Sequence, residues 1–148
     1  MATLAAVDGR PEIDSAFDVE LLRAGMGGFA EDVGMELVEA DGNRVVLDLK
    51  ITPRLHQPYG IVHGGIHCAL VETAASIGAA VWLGADGKVV GVSNQTDFLR
   101  AVSEGTLRTT ATPIHRGRLQ QLWAVDITDE SGRLVAKGQV RLQNLRGA

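Results

Sequence analysis

The sequence predicts an α+β domain in which five or six antiparallel strands wrap around one long central helix. Three observations carry that expectation. The alanine-rich segment from His63 to Leu83 is apolar or small almost all round, so it must be covered on most sides. Several other runs alternate apolar and polar residues with a period of two, the mark of strands with one buried face. These runs are grouped before and after the helix rather than alternating with helices, which indicates an antiparallel sheet.

At 148 residues the chain fits one domain with a sizeable core. Residues 1–28 read as a lead-in and short helix, and residues 29–148 as the domain proper. Within the lead-in, residues 1–13 mix small side chains with Gly9 and Pro11, while Phe17, Leu21 and Leu22 mark a short amphipathic helix ending near Gly25. Strands follow at 33–40 and 44–51, joined by Asp41-Gly42-Asn43, a strong hairpin signal. In the second of these, Val45, Leu47, Leu49 and Ile51 alternate with Val46, Asp48 and Lys50. After a loop from Thr52 to Val62 and the helical segment, the turn Gly84-Ala85-Asp86-Gly87 opens a set of strand-like runs. Val89–Arg100 is long and Thr106–His115 is rich in β-branched residues. A third run sets Leu119, Gln121, Trp123, Val125 and Ile127 against Arg118, Gln120 and Asp126. The last sets Leu134, Ala136, Val140 and Leu142 against Lys137, Gln139 and Arg141. Arg116-Gly117 and Glu130-Ser131-Gly132 supply the turns between them.

Composition narrows the function. The chain is 45% apolar and 22% charged with a net charge of −4, ordinary for a soluble globular protein and contrary to a general nucleic-acid binder, which needs a basic surface. Cys68 is the single cysteine, so neither an intrachain disulfide nor a Cys-rich zinc site can form. Met1 to Asp14 lacks a basic region followed by a long apolar run, so no signal peptide is expected. Ile66 to Leu83 approaches membrane-spanning length but contains His67 and Glu72; it reads as a buried helix, with no membrane partner and a cytoplasmic location expected.

The chemistry concentrates at the start of that helix. Gln57-Pro58-Tyr59-Gly60-Ile61-Val62-His63-Gly64-Gly65 leads straight into it. The first N–H groups of a helix have no internal partner and form a site for negative charge, including an oxyanion. The glycines also fit a simpler role, permitting a tight loop-to-helix turn. Glu72 shifts the balance: it lies two turns into the most apolar helix, with no Lys or Arg three or four residues away. A buried, unpartnered carboxylate costs several kcal/mol, and an apolar setting raises a carboxyl pKa and makes the anion a better base. Ser76 shares its face one turn on. Gly64 and Glu72 are eight residues apart, about 12 Å along a helix, whereas an oxyanion donor and an attacking group must converge within roughly 3.5 Å of one carbonyl. Two antiparallel copies of the helix would satisfy this, so a dimer with composite sites follows if both groups are catalytic.

Val62-His63-Gly64-Gly65 followed by Ala69-Leu70-Val71-Glu72 resembles the signature of hotdog-fold thioesterases, in particular the phenylacetic-acid-pathway and 4-hydroxybenzoyl-CoA thioesterase group. The resemblance covers about residues 30–143. It implies an acyl-CoA thioesterase acting on a small aromatic or medium-chain acyl-CoA. Glu72 would serve as nucleophile or as base for water, the Gly64 N–H would polarise the carbonyl, Gln57 and His63 would orient the thioester, and Ser76 would place the water. It further implies a homodimer or homotetramer and neither metal nor cofactor beyond the substrate's coenzyme A. The chain differs from the family in having His67 and Cys68 after the glycines, and Asp97 in the strand that lines the acyl tunnel. Gly65, Asn94, Asp97, Arg100, Arg116 and Arg118 are the candidate substrate contacts, the arginines because guanidinium matches phosphate oxygens.

Other residues carry less. His63 also fits a helix-capping role. His63 and His67, four apart, could form half a metal site, but no third ligand is near in sequence. Cys68 suits a small core position, as do Trp82 and Trp123 on a larger scale; His56 and His115 show no partner. Two other activities share such a pocket: hydration or dehydration of an acyl-CoA, which needs an acid–base pair, and non-catalytic acyl-CoA binding.

Overall fold

The computed structural model describes residues 19–85 and 87–146. The expected lead-in at 1–13 lies outside them. Of the expected N-terminal helix, the described part is α1 (Val19–Gly25). A second short helix, α2 (Phe29–Val33), was not expected from the pattern; it ends where Gly34 turns left-handed at φ 86°, a conformation glycine adopts without a steric penalty. Then come β1 (Met35–Ala40), β2 (Val45–Lys50), a 3-10 turn at Pro53–Leu55, α3 (Gly64–Leu83), β3 (Gly87–Phe98), β4 (Thr106–Arg116), β5 (Gln120–Thr128) and β6 (Leu134–Arg146).

The six strands form one antiparallel sheet in the order β1-β2-β4-β5-β6-β3. The sheet curls around α3, whose 20 residues extend about 30 Å at 1.5 Å per residue. This is the hotdog arrangement that the motif implied. The hairpin at Asp41 forms as expected: the Asp41 carboxylate accepts the backbone N–H groups of Asn43 and Arg44, both at 2.7 Å, as an Asx turn does.

The core lies between sheet and helix. From α3 come Leu70, Val71, Ala74, Ala75 and Ala79; from the strands come Leu47, Leu49, Leu107, Ala111, Trp123, Val125, Ile127, Val140 and Leu142. The helix is long and apolar enough to cross a membrane by length and composition, but its sheet-facing side is spent in this core. Its other side, with Ile66, Ala69, Thr73 and Ile77, stays half-buried. The period-two readings of β2, β5 and β6 match burial, with three departures. Val46 is buried although it belongs to the outward set, and Leu119 and Leu134 are exposed although they belong to the inward sets. Each of the two leucines stands at or before the first residue of its strand, where strand alternation has not yet taken hold.

Two buried polar side chains beneath α3, Gln121 and Asn144, are bonded to one another. Gln121 donates from Nε2 to Ala79 O at 3.1 Å and to Asn144 Oδ1 at 2.8 Å, and accepts from the Trp123 indole at 2.9 Å. Asn144 in turn donates to Gly117 O at 2.9 Å. The network ties helix, β5, β6 and the β4–β5 turn together, and satisfied buried groups of this kind fix a single arrangement of the core.

Candidate active site

The loop before α3 is pinned before the helix begins. His63 N–H donates to Leu55 O and Val62 N–H to Val102 O, each at 2.9 Å. His63 is the N-cap: its Nδ1 accepts the Gly65 N–H at 2.8 Å, which requires an unprotonated Nδ1. The capping role is therefore the one its contacts display. That bond uses the Gly65 donor and the Ile66 N–H goes to His63 O, which leaves the Gly64 N–H without an acceptor among the described residues. It is the donor available to an anion at this helix start.

The two glycines are required by close approach rather than by backbone conformation, since neither has positive φ. A Cβ at Gly64 would lie 2.9 Å from the Phe98 ring, and one at Gly65 2.9 Å from His63 Nδ1. Phe98 also packs beside His67, ring centroids 5.9 Å apart. His67 itself is buried at 4% exposure, and its Nδ1 has no hydrogen-bond partner among the described residues; burial pushes its pKa below the ordinary 6.5.

Glu72 is half-buried, not in the core. The helix turns it away from the sheet interior and toward β3, because the positions facing the sheet are taken by Leu70, Val71, Ala74 and Ala75. Its carboxylate lies against that strand. Asn94 donates from Nδ2 to Glu72 Oε2 at 3.0 Å and to Cys68 O at 3.1 Å, and Thr96 donates to Asn94 Oδ1 at 2.7 Å. The other carboxylate oxygen sits over Gly91, where a Cβ would come within 2.2 Å of Oε1. Gly91 was not foreseen as part of the site; a lone glycine inside a strand, the usual sign of close approach by another group, was the available signal. Ser76 lies one turn beyond Glu72, half-buried, with no hydrogen bond to it among the described residues.

The remaining expected contacts scatter. Asp97 does not join Glu72. It pairs in register with Lys137 on the outer face, whereas Asn94, Thr96 and Phe98 pair with the inward Val140, Gly138 and Ala136. Gln57 folds back on its own turn, its Oε1 accepting the Tyr59 N–H. Arg100 is exposed just past β3, at the glycine end of α3. Arg116 lies at the opposite end: it donates to Gly42 O and, at 3.0 Å, to Asn43 Oδ1, and stacks 5.5 Å over the Trp82 ring. Those contacts brace the β1–β2 hairpin. Arg118 is exposed in the neighbouring turn. Trp82 and Cys68 are half-buried rather than core, while Trp123 is fully buried. Among the described residues no group of three or more His, Cys, Asp or Glu side chains could hold a metal.

The thioesterase superfamily matches this chain over residues 59–136. A Mycobacterium tuberculosis protein carrying a provisional esterase name is 52% identical over 122 residues, spanning 79% of this chain and 86% of the relative. A solved structure of that esterase has a TM-score of 0.79 at 48% identity and covers 81% of this chain and 98% of the other. The 1,4-dihydroxy-2-naphthoyl-CoA hydrolase of Listeria monocytogenes is 38% identical over 108 residues, 73% of this chain and 88% of its own. A crystal structure of a Haemophilus influenzae thioesterase has a TM-score of 0.84 at 29% identity, covering 88% and 92%. With Gly64, Glu72, Gly91 and Asn94 all inside the matched segment of a six-stranded hotdog sheet, the chain belongs to the thioesterase superfamily and is a thioester hydrolase.

Proposed function

We propose that the chain hydrolyses an aromatic or medium-chain acyl-coenzyme A to the free acid and coenzyme A, with Glu72 as the reacting carboxylate. The observation that carries this reading is the held carboxylate: Glu72 projects from α3 against β3, one oxygen bonded to Asn94, within a motif that opens on a Gly64 N–H without an acceptor among the described residues. Glu72 attacks the thioester carbonyl or takes a proton from the water that does. The oxyanion accepts from the Gly64 N–H, and the sulfur leaves as thiolate and takes a proton from the water consumed; where Glu72 is the nucleophile, that water cleaves the acyl–Glu72 anhydride, frees the acid and restores the carboxylate. The aromatic side of the substrate range draws support from the Listeria relative, which is named for a naphthoyl-CoA substrate.

One chain does not bring the two groups together, since about 12 Å of helix separates them. The reading therefore includes a second copy. Strand β3 is the last strand at one end of the sheet, 12 residues long and exposed, with Val92 at 55%. A long bare edge of this kind is a template for pairing. Edge-to-edge pairing through β3 would run the two α3 helices antiparallel and set the Gly64 end of one beside Glu72 of the other. It would also shield the Asn94–Glu72 hydrogen bond from water, and the half-covered side of α3 would gain its missing contacts.

The test is thiol release from a panel including benzoyl-CoA and hexanoyl-CoA. Glu72→Ala is expected to lower kcat by about 10²–10⁴-fold, the range of a lost acid–base group, while the melting temperature holds. Turnover by that variant within tenfold of the parent would remove Glu72 from the chemistry.

A further inference from the structure

The amide of Asn94 has one chemically consistent orientation. The carbonyl of Cys68 can only accept, so the atom 3.1 Å from it is the amide nitrogen. The same nitrogen meets Glu72 Oε2, so both its hydrogens are used, one on each acceptor. On the far side, the Thr96 hydroxyl donates to Oδ1 and opposes a flip of the amide. The three residues form a line from strand to helix, Thr96 to Asn94 to Glu72, and the carboxylate can neither rotate nor drop back toward the helix without breaking it.

We propose that Asn94 is the positioning residue for Glu72, a role distinct from contact with substrate and resting on the reading above. It engages Oε2 and so selects Oε1, the oxygen lying over Gly91, as the one that reacts. Gly91 and Asn94 can serve together because the register of β3 shifts between Gly91 and Ser93. That bulge turns both residues, three apart, toward the helix, where strict alternation would send one outward. A bulge that re-aims a side chain beside a reacting group is a usual use of this feature.

The experiment measures kcat and KM for Asn94→Ala, Asn94→Asp and Thr96→Val across pH, beside Glu72→Ala, with benzoyl-CoA and hexanoyl-CoA and with melting curves for each. Asn94→Ala is expected to lose about 10–100-fold in kcat, since small misplacement of a reacting group costs up to about 10², with KM within about threefold. Thr96→Val should lose less, about two- to tenfold by the same reasoning. Asn94→Asp carries the diagnostic. Two adjacent carboxylates share one proton; while they hold it, the protonated Asp donates to Glu72 as the amide does, and the variant turns over. As pH rises and the proton leaves, the charges repel, so kcat falls on an alkaline limb that the parent lacks.

The limb is read against the parent, which keeps every neighbouring titratable group. On α3 the near ones are His67 and Cys68. Lys88 and Asp97 of β3 lie on the outward side with Lys137 and Arg141 of β6. The inward residues of β2, β4, β5 and β6 beneath the helix are apolar or are Thr109, Gln121 and Asn144, apart from Arg116 at the far end beside Trp82.

Parent-like kcat in both Asn94 variants at every pH would overturn the proposal. So would a rise in KM alone, which would make Asn94 a substrate contact. If Glu72→Ala stays active, the functional reading falls; if it is dead while the Asn94 variants are unaffected, only the positioning role falls. Should Asn94→Asp fail to fold, the kcat-against-KM split of the other two variants decides.

Discussion

His67 is a histidine in a place that suits a leucine: on the sheet-facing side of α3, beside Phe98, with Nδ1 unpaired among the described residues. Burial without a partner disfavours the charged ring, so its pKa is depressed in the folded chain. The sign for stability follows from proton counts. Below the ordinary value of 6.5 the unfolded chain binds a proton that the folded chain resists, so stability present above that pH is lost as pH falls through it toward the folded value. Melting temperatures of the parent should drop across this window in acid, and His67→Leu should flatten the drop. An unchanged slope in the variant would place the acid sensitivity elsewhere.

At the scale of elements, the contact between α3 and the sheet depends on one glycine in the helix interior. Gly78 faces Trp123, and a methyl there would lie 2.6 Å from the indole ring. Two effects oppose each other in Gly78→Ala. Helix propensity favours alanine by about 1 kcal/mol, whereas overpacking a filled core costs about 1–3 kcal/mol. Trp123 is fully buried and its N–H is committed to Gln121, so it has little room to give, and the steric term wins. Gly78→Ala should lower stability by up to about 2 kcal/mol on those magnitudes, read by urea unfolding; a more stable variant would show that the indole moves freely. The same reasoning separates Gly78 from an exposed helical glycine, where alanine would stabilise.

For the molecule as a whole, the sheet order sends β3, the strand after α3, to the end beside β6 rather than next to β2. The strand whose Asn94 holds the Glu72 carboxylate is thereby also one of the two edge strands of the sheet. If the site is shared between two chains, activity and association must fall together. Val90→Lys combined with Val92→Lys puts like charges on that edge in both copies, and should convert a dimer to monomer in sedimentation and reduce kcat at least tenfold, as expected when an oxyanion donor is withdrawn. A parent that is monomeric and fully active would end the two-chain site.

Much of this was legible in the chain itself, because periodicity and motif spacing are local properties. The alternation in β2, β5 and β6, the apolar length of α3, the Asp41 hairpin and the glycine-to-carboxylate spacing follow from neighbouring residues alone. Which way β3 and β4 face was not. Each carries a register shift, at Gly91/Ser93 and at Pro113/His115, and one inserted residue reverses every side chain after it. That reversal is why Asn94 meets Glu72 while Asp97 looks outward, and why Arg116 turns in onto Trp82 and the hairpin. A bulge is selected by what the strand packs against, and those partners lie far along the chain: Glu72 for β3, and Trp82, Gly42 and Asn43 for Arg116 at the end of β4. Sequence determined the elements and the chemical groups; long-range packing alone decided which of those groups meet.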